Sequence, residues 1–326
     1  MYLTHWKLAR PPFEAQPDSR FLFATVQHDR ALAAISYAAC DGGEPVLLAG
    51  AAGCGKTLLL RALRRRLPRE QFRVAFVPEA GCAQVGLLRR VAYHLTHAVV
   101  ADSAAAMDAI VKTAEEARTA SGALVTMLDG WPADVPAEQL AELRWLLDLD
   151  LENGRSSVLL TSEDAWAPRR WPDWLVQRLF STAELGPLTP AEVGPYLAHR
   201  LSAASQAEAA PAERPNYAAV FTPDAAARIA EWSWGVPRLI NRAAHLALHV
   251  AWLELAVQVT PQHVAQAIER LLPPGTPRTG SGTPERTPSA DSPAADGDAA
   301  GSTPGSGPLS PAQAFSAAAG LRAMRT

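Results

Sequence analysis

Long hydrophobic runs are absent from this chain: no apolar stretch approaches the roughly eighteen residues that a membrane helix needs. The opening residues, Met1-Tyr2-Leu3-Thr4-His5-Trp6-Lys7-Leu8, lack the continuous apolar segment of a secretory leader. The expectation is therefore a soluble, cytoplasmic protein. Cysteine is scarce. Three are present (Cys40, Cys54 and Cys82), in no metal-ligand spacing, which excludes a disulfide framework and a zinc ribbon and points to a reducing compartment. Charge of one sign is also lacking, since a formal net charge of −3 gives no global attraction to nucleic acid. Residues 273–311 hold 9 of the 27 prolines but no aromatic or β-branched aliphatic residue. Such a segment cannot bury enough surface to offset the entropy of ordering, so 273–326 is expected to be a disordered tail.

What the chain does have is a phosphate loop. Gly50-Ala51-Ala52-Gly53-Cys54-Gly55-Lys56-Thr57 fits G-x-x-x-x-G-K-[ST]. An apolar strand-like run, Pro45–Ala49, precedes it, and leucines at helical spacing follow from Leu58 to Leu67. A glycine turn between strand and helix aims successive N–H groups at one point, and the helix dipole adds to their pull on an anion. This run, through Leu58, is the expected cofactor site for Mg·ATP or Mg·GTP. Lys56 would reach the β- and γ-phosphates and Thr57 would take a place on Mg²⁺. Cys54 stands at a helix N-terminus, a setting that can lower a thiol pKa, but the reading preferred for it is a small residue tolerated at a variable position.

Strand-like runs recur at Pro45–Gly50, Arg73–Pro78, Ala123–Asp129, Ser156–Thr161 and Ala183–Leu185, with helical patterning between them. This alternation predicts an α/β fold, a parallel sheet with helices on both faces. From Thr189 onward the pattern turns helical. Thr189-Pro190, Thr222-Pro223 and Thr260-Pro261 each supply an N-cap followed by a first-turn proline. The expected organisation is a nucleotide-binding domain over 1–188, with 1–44 as an N-terminal segment, a helical lid over 189–272, and the tail. Residues 205–217 read as a mobile loop. The apolar strand Ala123–Leu128 ends in Asp129, about 70 residues downstream of the loop. An acid at a strand end there suits Mg²⁺ or its waters.

At this point the chain resembles the AAA+ ATPases of the general secretion pathway protein A group, relatives of the transposition-helper ATPases. The marks are Met1-Tyr2-Leu3, Pro12-Phe13, Pro17-Asp18, Arg20-Phe21-Leu22, His28, Ala31-Leu32, the phosphate loop and Asp129. They continue in Gln177-Arg178-Leu179, Leu185-Gly186-Pro187-Leu188 and Gly235-Val236-Pro237-Arg238-Leu239-Ile240-Asn241. The resemblance implies an ATP- and Mg²⁺-dependent ATPase. Arg238 would stand at the sensor-2 position facing the γ-phosphate, and Arg178 near a subunit interface as a candidate finger. Protein partners, including other copies of the chain, are implied. The arginines Arg61, Arg64, Arg65, Arg66 and Arg69 leave a DNA contact open as an alternative.

Three positions depart from the family pattern. Gly130 follows Asp129 where a glutamate is usual, Thr161-Ser162 replaces Gly-Gln, and Thr182 stands where a second arginine is common. Glycine cannot orient or deprotonate a water, and general-base help is worth roughly 10²–10⁴ in rate. The expected activity is therefore slow or partner-dependent ATP hydrolysis. The readings kept beside it are a hydrolysis-deficient nucleotide-binding scaffold, a phosphotransferase and a DNA-directed helper. Glu163 is the first candidate for a substitute acid, with Glu79 behind it, because both follow strands whose ends face the nucleotide in such sheets.

Overall fold

The computed structural model describes residues 2–14, 18–42, 45–81, 84–149, 155–164, 167–179, 181–205 and 216–271. Every element below belongs to one compact unit, Met1–Thr276. The expected tail, nearly all of the expected loop at 205–217, Cys82 and Trp166 lie outside the described residues.

Five strands form one sheet: β1 Val46–Ala49, β2 Phe72–Val77, β3 Ala123–Leu128, β4 Arg155–Ser162 and β5 Ser181–Glu184. Their order is β2-β3-β4-β1-β5 and every pairing is parallel. Each strand read from the sequence is present. The helices are α1 Tyr2–His5, α2 Val26–Tyr37, α3 Lys56–Arg66, α4 Leu87–Thr96, α5 Ser103–Thr119, α6 Ala137–Leu147 and α7 Asp173–Val176. After β5 come α8 Pro190–Ala204, α9 Pro223–Ser233, α10 Pro237–Leu253 and α11 Pro261–Leu271.

Successive strand side chains point to opposite faces of a sheet. Val46, Leu48, Val125, Met127 and Leu159 pack with Ile35 of α2 and with Leu59, Leu60 and Leu63 of α3. Leu47, Leu124, Leu128, Val158 and Leu160 pack on the other side with Leu88 and Val91 of α4, Ile110 of α5 and Leu143 of α6. Because both faces are covered, β1 reads as an unbroken apolar run and β3 as one interrupted only by the buried Thr126, and neither alternates. Trp131 and Trp171 fill the second of these cores, whereas Trp234 is 69% exposed.

A third core lies among α8–α11 and includes Leu197, Leu201, Ile229, Ile240, Leu248 and Val264. The helix starts behave as the Thr-Pro pairs predict. Glu192 Oε2 accepts from Thr189 N and Oγ1 at 2.8 and 2.9 Å, and Thr222 Oγ1 accepts from Ala225 N at 3.2 Å. Trp6, Leu8, Phe13 and Phe21 of the N-terminal segment belong to this third core and not to either face of the sheet. The buried Arg200 fastens them. It donates to Pro12 O at 2.6 Å and Glu14 O at 3.3 Å, and its guanidinium lies 4.4 Å from the Phe21 ring centroid.

The connection leaving β5 meets the turn between α9 and α10, where Leu188 N donates to Gly235 O at 2.8 Å. Gly235 has φ 72°, and a Cβ there would sit 2.0 Å from Leu188 O. Only glycine fits. Two sequence marks far apart in the chain, Leu185–Leu188 and Gly235–Arg238, thus form one joint.

Candidate nucleotide-binding site

The phosphate loop leaves the buried end of β1 and enters α3. Gly50, Gly53 and Gly55 have φ values of 149°, 91° and 103°, conformations that side-chain-bearing residues rarely adopt. Gly55 caps α3, Ala51 and Ala52 form the exposed tip, and Leu58 is half-buried in the first helical turn. Lys56 is 7% exposed and folds back, donating to Gly50 O at 2.6 Å and Ala51 O at 3.1 Å. Burial pushes its pKa below the ordinary lysine value, against the opposing pull of the Glu163 and Asp129 charges.

Asp129 closes the far side. Its Oδ2 accepts from Thr57 Oγ1 at 2.7 Å and its Oδ1 from Thr161 Oγ1 at 2.7 Å. Thr161 in turn accepts from Gly130 N at 2.8 Å, so a hydroxyl on β4 sets both the carboxylate and the backbone after it. Reading the sequence registered Thr161 only as a departure from a pattern and gave it no role. A hydroxyl at a strand end beside the acid-bearing strand was the available signal. The paired Thr57 and Asp129 oxygens are hard donors of the kind Mg²⁺ takes, so this donor set fits that ion.

The α10 helix brings Arg238 to the loop. A Cβ built on Gly53 would lie 2.7 Å from Arg238 Cβ and 3.5 Å from its Nε, so a side chain at 53 would collide with it. Glu163, exposed after β4, lies close enough for its charge to act on Lys56. It borders an open cleft of about 530 Å³ with Glu79, Gly130, Trp131 and Ser162. Arg178 is held elsewhere, its Nη1 2.5 Å from Asp148 Oδ1. Cys54 is a small residue packed into the loop and not an activated thiol. It is fully buried, and burial raises its thiol pKa, outweighing the nearby positive charges of Lys56 and Arg238.

Two residues ahead of the sheet, unassigned from sequence alone, brace the site. His28 is buried beside the loop, its Nδ1 2.7 Å from Thr25 Oγ1 and its Nε2 3.5 Å from where a Cβ on Gly55 would lie. Gln27 exchanges two hydrogen bonds with the Gly186 backbone, at 3.2 and 2.9 Å. Beside them a slot of about 30 Å³ is bordered by Leu22, Phe23, His28, Leu188, Tyr196 and Pro237. Among the described residues no helix is long and apolar enough to cross a membrane.

A glycine-rich loop after β1, the fourth strand across a β2-β3-β4-β1-β5 sheet, an acid just past β3 and an arginine arriving from a following helical region define a P-loop NTPase fold. Comparison with known proteins agrees: residues 40–164 match the AAA domain family. The chain is similar to general secretion pathway protein A of Aeromonas hydrophila, 28% identical over 258 residues, covering 77% of this chain and 45% of that protein. It thus spans a little under half the length of that relative. In fold it is similar to the ORC2 protein of Aeropyrum pernix, with TM-score 0.61, 17% identity and coverage of 80% of this chain and 71% of that one. It is also similar to Cdc6p of Pyrobaculum aerophilum, with TM-score 0.58, 14% identity and coverage of 83% and 71%. The RuvB Holliday junction branch migration motor of Thermotoga maritima aligns with TM-score 0.51, 18% identity and coverage of 76% and 70%.

Proposed function

We propose that this chain is a Mg²⁺-dependent ATP switch that hydrolyses ATP slowly or on engaging a partner, and that it works within a protein assembly including other copies of itself. The observation that carries this is the convergence of Lys56, Thr57, Asp129 and Thr161 on one carboxylate-and-ammonium site, with Arg238 against the loop. Lys56 would exchange the loop carbonyls for β- and γ-phosphate oxygens. Thr57 and Asp129 would hold Mg²⁺, which when bound neutralises phosphate charge. Arg238 would fork onto the γ-phosphate and lose that contact once it leaves. Gly235 and Leu188 form the joint through which such a contact alters the helical region. Arg178 would have to leave Asp148 to serve a neighbouring copy. The slot by His28 is smaller than a purine, so seating a base there requires Leu22 and Pro237 to part.

The relatives' own names place one in general secretion, and one solved neighbour is described in complex with DNA. The proposal carries over the first only as assembly with protein. The alternative, a DNA-directed helper, rests on the arginines of α3 and its C-terminal end.

The test is calorimetric titration with Mg·ATP, Mg·ADP and Mg·GTP, alongside phosphate release, on the full chain and on Arg238→Ala. Mg·ATP is expected to bind and to be hydrolysed slowly. Arg238→Ala is expected to narrow the preference for ATP over ADP about tenfold, the size of one charge-assisted hydrogen bond. Absence of heat with every nucleotide would overturn the proposal.

A further inference from the structure

Hydrolysis at this site needs a group that orients and deprotonates water, and the obvious positions are taken or empty. Both Asp129 oxygens already accept hydrogen bonds, from Thr57 and from Thr161. Gly130 has no side chain, and its φ of 79° belongs to the region that disfavours one. Directly opposite, however, stands a carboxylate. Strands β2 and β3 pair up to Val77 and Leu128, and the ladder continues past them. Asp129 N donates to Val77 O at 3.0 Å, Ala80 N to Asp129 O at 2.7 Å and Gly81 N to Gly130 O at 3.3 Å. This places Glu79 across from Gly130: a Cβ on the glycine would lie 3.7 Å from Glu79 Cα and within 4 Å of no other non-neighbouring atom.

The turn that carries Glu79 is built, not slack. Glu79 itself has φ 48°, an uncommon conformation for glutamate that persists only where surrounding contacts impose it. Arg90 of α4 imposes it by donating to the carbonyls on either side, to Pro78 O and, at 3.3 Å, to Ala80 O. Among the described residues the Glu79 carboxylate has no hydrogen-bond or ion-pair partner, and it is exposed to the same cleft as Gly130, Ser162 and Glu163. Glu163, the first candidate from sequence, is engaged differently. It follows β4, immediately beside β1, and its charge acts on the Lys56 ammonium.

We infer that Glu79 is the catalytic base for ATP hydrolysis in this chain, the open face over Gly130 leaving space for the attacking water. This rests on the ATP reading above. In the step, the water oxygen forms a bond to the γ-phosphorus while the bond from that phosphorus to the β–γ bridging oxygen breaks. The bridging oxygen keeps the electron pair as ADP leaves. One water proton passes to the Glu79 carboxylate and then to the released phosphate. Glu163 tunes Lys56 and so acts on binding.

The experiment measures kcat for phosphate release and the Kd of Mg·ATP for the full chain, Glu79→Gln and Glu163→Gln. Glu79→Gln is expected to lower kcat by about 10²–10⁴-fold with the Kd within about threefold. Glu163→Gln, which removes a negative charge near the phosphates, is expected to tighten Mg·ATP binding and to lower kcat less than about tenfold. Glu79→Gly, which relieves the backbone strain, is expected to lose turnover like Glu79→Gln while melting no lower than the parent chain. A parent chain that hydrolyses ATP and keeps its kcat in Glu79→Gln overturns this inference alone. A parent chain that binds Mg·ATP yet releases no phosphate overturns it together with the hydrolysis reading.

Discussion

Lys56→Ala is expected to weaken Mg·ATP binding by roughly 10²–10⁴-fold and to abolish measurable turnover. The ammonium is buried, points back into the loop and has two oxygens for partners. With ATP bound, those partners become phosphate oxygens, and charge-assisted hydrogen bonds of this kind contribute about 1.5–3 kcal/mol each. Losing two of them gives the predicted range. Titration calorimetry of the variant beside the parent chain checks it. Binding within tenfold of the parent would mean that the loop amides and the helix end hold the triphosphate without the lysine.

The same substitution has a second, opposite consequence in the nucleotide-free protein. Burial holds the Lys56 pKa below its unfolded value, so between the two values the unfolded chain binds more protons than the folded one. Stability contributed by this residue therefore rises with pH through that window and is unfavourable below it. In urea melts without nucleotide, the stability of the parent chain relative to Lys56→Ala is expected to increase as pH is raised towards 10.5, the ordinary lysine value. Burying the ammonium serves the ligand at the expense of apo stability, so binding and apo stability move apart in Lys56→Ala.

How much of this could be read before the fold was known differs between elements, for physical reasons. The sheet was legible because strands covered on both faces are short, mostly apolar runs, and Val46–Ala49 and Ala123–Leu128, broken only by Thr126, are such runs. The helix starts were legible because Thr-Pro serves as a cap through local hydrogen bonds. The phosphate loop carries its chemistry in eight consecutive residues. What escaped depends on contacts between distant residues. Trp6 donates to Leu248 O across 242 positions, and Arg200 to Pro12 O across 188, so the N-terminal segment's place in the helical core left no local pattern. For Cys54 the helix N-terminus and the inert small-residue reading pull opposite ways in sequence, and only the fold shows that burial decides for the second. Gly130 was read as a missing side chain. The backbone adds that a left-handed turn is needed there, and that turn faces Glu79.

Thr161→Val is expected to cut turnover by about 10²-fold and to lower unfolding free energy by about 1–3 kcal/mol, while Thr161→Ser retains most of both. Valine keeps the volume of the fully buried side chain but not its oxygen. Two bonds vanish together. Gly130 N–H loses its 2.8 Å acceptor in a part-buried site, which accounts for the stability loss. Asp129 loses the 2.7 Å donor that fixes Oδ1, leaving Thr57 as its remaining side-chain restraint among the described residues. A carboxylate free to shift by an ångström misplaces whatever it coordinates, and displacements of that size cost about 10²-fold in rate. Urea melts and phosphate release on the two variants separate the effects, because serine keeps the hydroxyl while removing only a methyl group. If valine hydrolysed ATP at the parent rate, Asp129 would be held by its strand alone, and the hydroxyl on β4 would be packing rather than part of the site.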